Sequence, residues 1–176
     1  MDNAIYATLT RQSGLMREMQ AVANNIANVS TNGFRKEGVV FSEHVAALGG
    51  AEPSLSMADA SGRVVNLSQG ALSQTGGTFD FAIEGEGFFL IDTPQGQQLT
   101  CAGSFAPSPE GELTTLDGFR LLDAGGAPVF VPADARGITL SQDGTLSAEG
   151  RPLAEIGLFM PTDPNSLEHV GGTRFA

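Results

Sequence analysis

The chain has 176 residues, 41% of them hydrophobic and 16% charged, with 23 glycines and 9 prolines. That length can bury a core of its own, and the composition excludes both a disordered chain and a collagen-like one. The net charge of −11 argues against non-specific binding to nucleic acid or anionic lipid, both of which are polyanions.

The charge is unevenly placed. Arg11, Arg17, Arg35 and Lys36 against Asp2 and Glu18 give residues 1–36 a net of +2, and the rest of the chain carries −13. Two segments with different surroundings would account for the split. The single cysteine, Cys101, excludes an internal disulfide and a thiolate-only metal cage, and its ordinary role is that of a small core hydrophobe. Met1-Asp2-Asn3 has no basic region and no apolar run after it, so no secretory signal is read there. The longest apolar run, Phe88-Phe89-Leu90-Ile91, is far too short to span a bilayer, so no membrane insertion is expected. These rules alone suggest a cytoplasmic protein.

In chain order, residues 1–29 read as one helix, with Asp2 or Asn3 as its N-cap. Ile5, Leu9, Gln12, Met16, Met19, Ala23 and Ile26 are spaced alternately four and three apart, an unbroken a/d seam with the coiled-coil period. Asn24, Asn25 and Asn28 are poor helix formers near its end, and Ser30-Thr31-Asn32-Gly33 closes it, with Gly33 free to take a positive φ. An isolated helix of this kind is marginal in water, so it is expected to fold against other helices. Ser42 to Gly62, with Gly49-Gly50 and Pro53, reads as a linker or extended loop.

From Arg63 onward the pattern turns to short strands. Val64, Leu67, Phe79, Phe81 and Ile83 alternate, and Phe88 to Ile91 has the form of a buried strand. Glu110-Gly111, Asp117-Gly118, Asp143-Gly144 and Glu149-Gly150 are four acidic-glycine pairs, each marking a hairpin. The expected fold is mainly β: a long N-terminal α-helix of coiled-coil type, then an all-β domain of hairpins or a distorted barrel. The expected boundaries are 1–34 for the helix, 35–62 for the linker and 63–176 for the β domain.

The chemical inventory is poor. Gly85-Glu86-Gly87 lacks the third glycine of a dinucleotide fingerprint and leads into a strand, whereas that motif must open a helix. The acidic-glycine turns match no calcium loop. His44 and His169 have no HExxH or cysteine partner near them, and no base is marked beside Cys101 for nucleophilic catalysis. No cofactor, metal or catalytic residue is assigned.

The segment Ala23-Asn24-Asn25-Ile26-Ala27-Asn28-Val29-Ser30-Thr31-Asn32-Gly33-Phe34-Arg35 resembles the rod signature of bacterial flagellar axial proteins, the family of rod, hook and hook-associated subunits. Within that signature Asn24, Asn25, Asn28, Thr31, Gly33 and Phe34 are the residues that match. A second match begins at Gly70-Ala71-Leu72-Ser73-Gln74-Thr75-Gly76 and continues from Phe79-Asp80 through Gly85-Glu86-Gly87-Phe88-Phe89. It is similar to the opening of the β domain shared by rod and hook proteins. Ala102-Gly103-Ser104-Phe105 and Gly111 to Phe119 extend it. The opening Met1 to Tyr6 is more similar to proximal than to distal rod subunits. One departure is Leu99-Thr100-Cys101, where the family usually has an aromatic-Thr-Arg triplet.

The resemblance implies a non-catalytic structural subunit of the proximal rod, packing by its helix into an axial tube. Its implied partners are other rod subunits, further copies of itself and the flagellar type III export apparatus. Export would then need no cleaved signal peptide, and the location would be the basal body, in the rod that crosses the periplasm. The resemblance also implies a second long helix pairing with the first. This sequence stops at Gly171 to Ala176 before it, so the expectation is a chain cut short of that helix. The alternatives are a distal rod or hook subunit, a non-axial adaptor binding one foreign helix, and a wall-cleaving accessory of rod assembly.

Overall fold

The computed structural model describes residues 2–46 and 55–176. The chain forms two compact units, Met1–Ser30 with Lys36–Asn66, and Thr31–Arg35 with Leu67–Ala176.

The first unit is a helix laid on a hairpin. Helix α1, Asp2–Ala27, contains no proline and one glycine, Gly14, and is otherwise rich in Ala, Leu, Met, Gln and Arg. The cap expected of Asp2 or Asn3 falls on side chains outside those described. Strands β1, Glu37–Ala46, and β2, Leu55–Val65, pair antiparallel, with Glu37 opposite Val65 and Phe41 opposite Ala60. The register shifts between Val40 and Phe41, leaving Ser61 as the extra residue of a bulge. Its hydroxyl donates to the Val40 carbonyl at 3.2 Å.

Gly14 and Ala21, seven residues apart on one face of α1, are buried. A Cβ on Gly14 would stand 2.9 Å from the tip of the Phe41 ring and 3.8 Å from the Ala60 Cβ, so the small residue sets how closely the helix approaches the hairpin. Arg17 Nη1 donates to the Ala60 carbonyl beside the bulge at 2.8 Å. The Asn25 amide brackets the backbone of Glu37, donating to its carbonyl at 2.8 Å and accepting from its N–H at 2.9 Å. Glu37 is buried, and Arg63 Nη1 lies 3.6 Å from its carboxylate.

This hairpin corrects the linker expected over 42–62. Ser42–Ala46 and Leu55–Gly62 are strand, and a boundary at residue 63 would cut β2; the chain passes to the second unit only after Asn66. Ser, Ala, Asp and Gly dilute the alternation signal here, and the ladder between the two arms supplies what local preference lacks. Gly49, Gly50 and Pro53 lie outside the described residues.

The second unit is antiparallel β. Strands β3 Phe89–Thr93, β4 Gly96–Thr100, β5 Phe105–Pro107, β6 Leu113–Thr115 and β7 Arg120–Leu121 are followed by β8 Ile138–Leu140, β9 Thr145–Ala148 and β10 Arg151–Glu155. A 3₁₀ turn at Pro164–Ser166 then precedes β11 His169–Gly171 and β12 Arg174–Phe175. One seven-stranded sheet has the order β11-β12-β4-β3-β7-β6-β5, and β10-β9-β8 form a second. The expected buried run becomes β3, inside the larger sheet, with Phe89 and Ile91 buried.

All four acidic-glycine pairs are hairpin turns. Glu149 and Gly150 both have positive φ, 51° and 77°, which joins β9 to β10 with the twist that a two-residue turn needs. Phe79, Phe81 and Ile83 keep their alternating partial burial without forming a strand. They are tied instead by single bonds, Phe81 N–H to the Gly103 carbonyl at 2.8 Å and Phe105 N–H to the Phe79 carbonyl at 3.1 Å.

The core of this unit is Phe89, Phe105, Leu113, Leu121, Val129, Val131, Leu146 and Ile156. A separate aromatic group joins Phe88 to Phe175 edge-on at 5.5 Å, Phe175 to His169 at 4.2 Å and His169 to Phe34 at 5.3 Å.

Candidate assembly surface and signature segment

Helix α1 presents its large apolar residues away from its own unit. Among the described residues, Gly14, Arg17, Ala21 and Asn25 are seated on the hairpin side, and they occupy one side of the cylinder. On the other side the seam residues Ile5, Leu9, Met16, Met19 and Ile26 are all exposed, from 53% at Leu9 to 71% at Met19. Gln12 and Ala23, between them in the seam, are exposed as well. The seam of the sequence is therefore a continuous surface stripe of one helix. Among the described residues of the first unit, none buries it.

A second series widens the stripe. Leu15, Val22 and Val29 are exposed and, with Met19 and Ile26, repeat the four-three spacing one position off the first seam. At 3.6 residues per turn the apolar arc from Val22 to Leu9 covers about 140°. Looking for a single seam misses this series; a count of every large apolar residue on the helical wheel finds it.

The three asparagines do different things. Asn25 spends its amide on the Glu37 backbone inside the unit. Asn28 Nδ2 donates to the carbonyl and to the side-chain oxygen of Asn24, at 2.9 and 3.0 Å, one turn away. Asn24 is exposed and Asn28 half-buried. The helix is ordered through Ala27, with the Asn28 N–H closing a last turn onto Asn24.

The rest of the signature belongs to the β-rich unit. Gly33 has φ 76°, and a Cβ there would overlap the backbone of Cys101 and Ala102, so the residue is required both for its conformation and for close approach. It does not cap α1 directly, since it follows the helix end by six positions. The Phe34 N–H closes a turn onto the Thr31 carbonyl at 3.2 Å, and the ring stacks on His169. Arg35 Nη1 donates to the Leu67 carbonyl at 2.9 Å and to that of Ser68, and its Nε reaches Cys101 Sγ at 3.5 Å. Burial pushes the Cys101 thiol above its ordinary pKa range, and the Arg35 guanidinium opposes that in part.

The β-domain residues singled out in the sequence fall in two places. Thr75 Oγ1 donates to Asp80 Oδ2 at 2.7 Å, closing a small loop whose tight point is Gly77; Gly70 and Gly76 face open space. Gly85 donates its N–H to Gln69 Oε1 at 2.9 Å, while Gln69 Nε2 reaches the Ile83 carbonyl. Gly87 lies against Leu158, and Phe88 and Phe89 enter the two aromatic and aliphatic clusters. These residues shape the unit. His169 is spent on Arg35 and the aromatic group, and the His44 side chain lies outside those described. Among the described residues no group of three or more His, Cys, Asp or Glu could hold a metal ion.

Residues 5–35 match the family model described as "Flagella basal body rod protein", and residues 82–148 match "Flagellar hook protein FlgE/F/G D1 domain". The flagellar basal-body rod protein FlgF of Caulobacter vibrioides is 38% identical over 175 residues, covering 97% of this chain and 71% of that protein. The chain belongs to the FlgF-type flagellar basal-body rod protein family. FlgF of Mesorhizobium japonicum is 37% identical over 159 residues, 90% of this chain. FlgG of Bacillus subtilis is 31% identical over 193 residues, 99% of this chain and 73% of the relative. The chain spans 65% of the length of the Mesorhizobium relative and 71% of that of the Caulobacter one. The two family models fall one on α1 with the signature and one on the β-rich unit.

Proposed function

We propose that this chain is a structural subunit of the flagellar basal-body rod and that it assembles through the apolar stripe of α1. The observation that carries the reading is the exposure of Ile5, Leu9, Met16, Met19 and Ile26 on a helix whose opposite face is already seated on its own hairpin. A surface helix normally turns its large apolar residues to its own core and its polar residues outward. This helix does the reverse, so its stripe is built for partners outside its unit.

The width of the stripe bears on how many partners there are. A single a/d seam serves one neighbouring helix. The two offset series sharing Met19 and Ile26 suit a helix gripped from two sides, as in a closed layer of helices around an axis. The partners are then other rod subunits and further copies of this chain. The proposal includes export by the flagellar type III apparatus and residence in the basal body, with no catalytic role.

The test is replacement of Met16 and Met19 by Asp in a cell otherwise lacking the protein, followed by purification of basal bodies and peptide mass spectrometry. The unsubstituted chain is expected in the rod fraction. The double variant is expected to be absent from it and the cells non-motile, while its β-rich unit stays folded. Normal rods containing the double variant would overturn the proposal.

A further inference from the structure

Five residues of the β-rich unit come from a distant stretch of chain. Thr31–Arg35 leave the helical unit after Ser30 and return to it at Lys36. The segment has no strand or helix of its own, and the Phe34 N–H closes a turn within it onto the Thr31 carbonyl. Ordering such a segment costs backbone entropy at every residue. The compensation is in what it touches.

Those contacts converge on one corner of the unit. Gly33 backs onto Cys101 and Ala102, immediately after β4. The Ala102 N–H donates to the Thr100 hydroxyl at 3.0 Å, and that hydroxyl lies 3.0 Å from the Thr173 carbonyl, to which it donates. Strand β12 pairs with β4 through Arg174 opposite Thr100 and Phe175 opposite Leu99. Phe175 carries His169 against its ring, and His169 carries Phe34. His169 Nε2 then lies 2.9 Å from the Arg35 carbonyl, a bond spanning 134 positions of the chain. The floor under Gly33 and the ring under Phe34 are thus set by the same pairing of β4 with the β11–β12 hairpin.

We infer that Thr31–Arg35 is a clasp closed by the β11–β12 hairpin, with His169 as its pin. The clasp orders only after β12 has paired with β4. The end of α1 and the start of β1 flank it in the chain, so both are tethered to a segment whose order depends on the far end of the sequence. This part of the signature then serves the inside of one molecule, whatever surface α1 offers to others. His169 is a positioning residue acting through Phe34 and the Arg35 carbonyl.

The test is amide hydrogen exchange of the full chain in dilute solution, with two variants that attack the clasp from opposite sides. His169→Ala removes the pin, and Gly33→Val places a branched side chain against the Cys101–Ala102 backbone. Peptides covering residues 30–36 are expected to exchange roughly tenfold or more faster in both variants, with β3 and β9 within about twofold of the parent. Residues 167–176 are expected to loosen in Gly33→Val, because the coupling runs both ways. The inference is overturned if 30–36 is unchanged in both variants. It is equally overturned if 30–36 loses protection only together with β3, since the segment would then be no separable device.

Discussion

At the scale of single residues, a side chain's worth depends on what would be left unmade without it. Asn25 closes two hydrogen bonds on the backbone of buried Glu37, and no aliphatic side chain can replace them. Asn25→Ala is expected to lower stability by about 1–3 kcal/mol in urea denaturation, the cost of orphaned buried backbone groups. Asn24→Ala, at an exposed position, is expected to stay within about 0.5 kcal/mol. Equal losses would mean that the bracket contributes nothing beyond what an exposed asparagine does. Cys101 offers a second measurement. Its raised pKa keeps the folded thiol protonated where an exposed one ionises. Iodoacetamide should therefore label the native chain far more slowly than the urea-unfolded one. The linkage has a definite sign. The thiol's contribution to stability is full below the ordinary thiol range and falls as pH rises through it, because the unfolded chain loses its proton first. It stops falling once the folded thiol ionises too.

At the scale of elements, α1 in the proposed reading separates stability from assembly, one face for each. Among the described residues, Gly14, Arg17, Ala21 and Asn25 hold the helix to its hairpin, and the large seam residues are exposed. Met16→Asp with Met19→Asp should therefore change the unfolding free energy of the monomer, read in urea, by no more than about 0.5 kcal/mol per site, even as it removes incorporation into rods. A large loss of monomer stability would mean that the stripe is already packed within the subunit. The β1–β2 hairpin teaches the opposite lesson about local signals. Its arms are strands although their composition is that of a loop, because pairing between residues about 20 apart outweighs weak preference.

At the scale of the whole molecule, the large hydrophobic core belongs to the β-rich unit, whereas the stripe proposed for assembly belongs to the helical one. The core of the β-rich unit includes Leu146, fully buried among Phe89, Leu113 and Val129. Leu146→Ala is expected to destabilise that unit by about 2–5 kcal/mol, read from the exchange of β3 and β9 amides. Leu116, 85% exposed at a hairpin tip, is the matching control, and Leu116→Ala is expected to change little. Comparable losses at the two positions would contradict the burial that defines this core.

What the sequence determined by itself was what depends on near neighbours. The length and period of α1, the four acidic-glycine turns and the buried run at Phe88 to Ile91 are local patterns, since hydrogen bonding along a helix and across a tight turn spans a few residues. The signature motifs were legible as a resemblance. The role of each residue within them was not. Only the tertiary structure decided that the seam faces away from its own hairpin, that Asn25 is spent on Glu37, and that Gly33 and Phe34 belong with Cys101 and His169. Each of these is a pairing of residues distant in the chain, and periodicity in one segment carries no record of which surface another segment will bring to it.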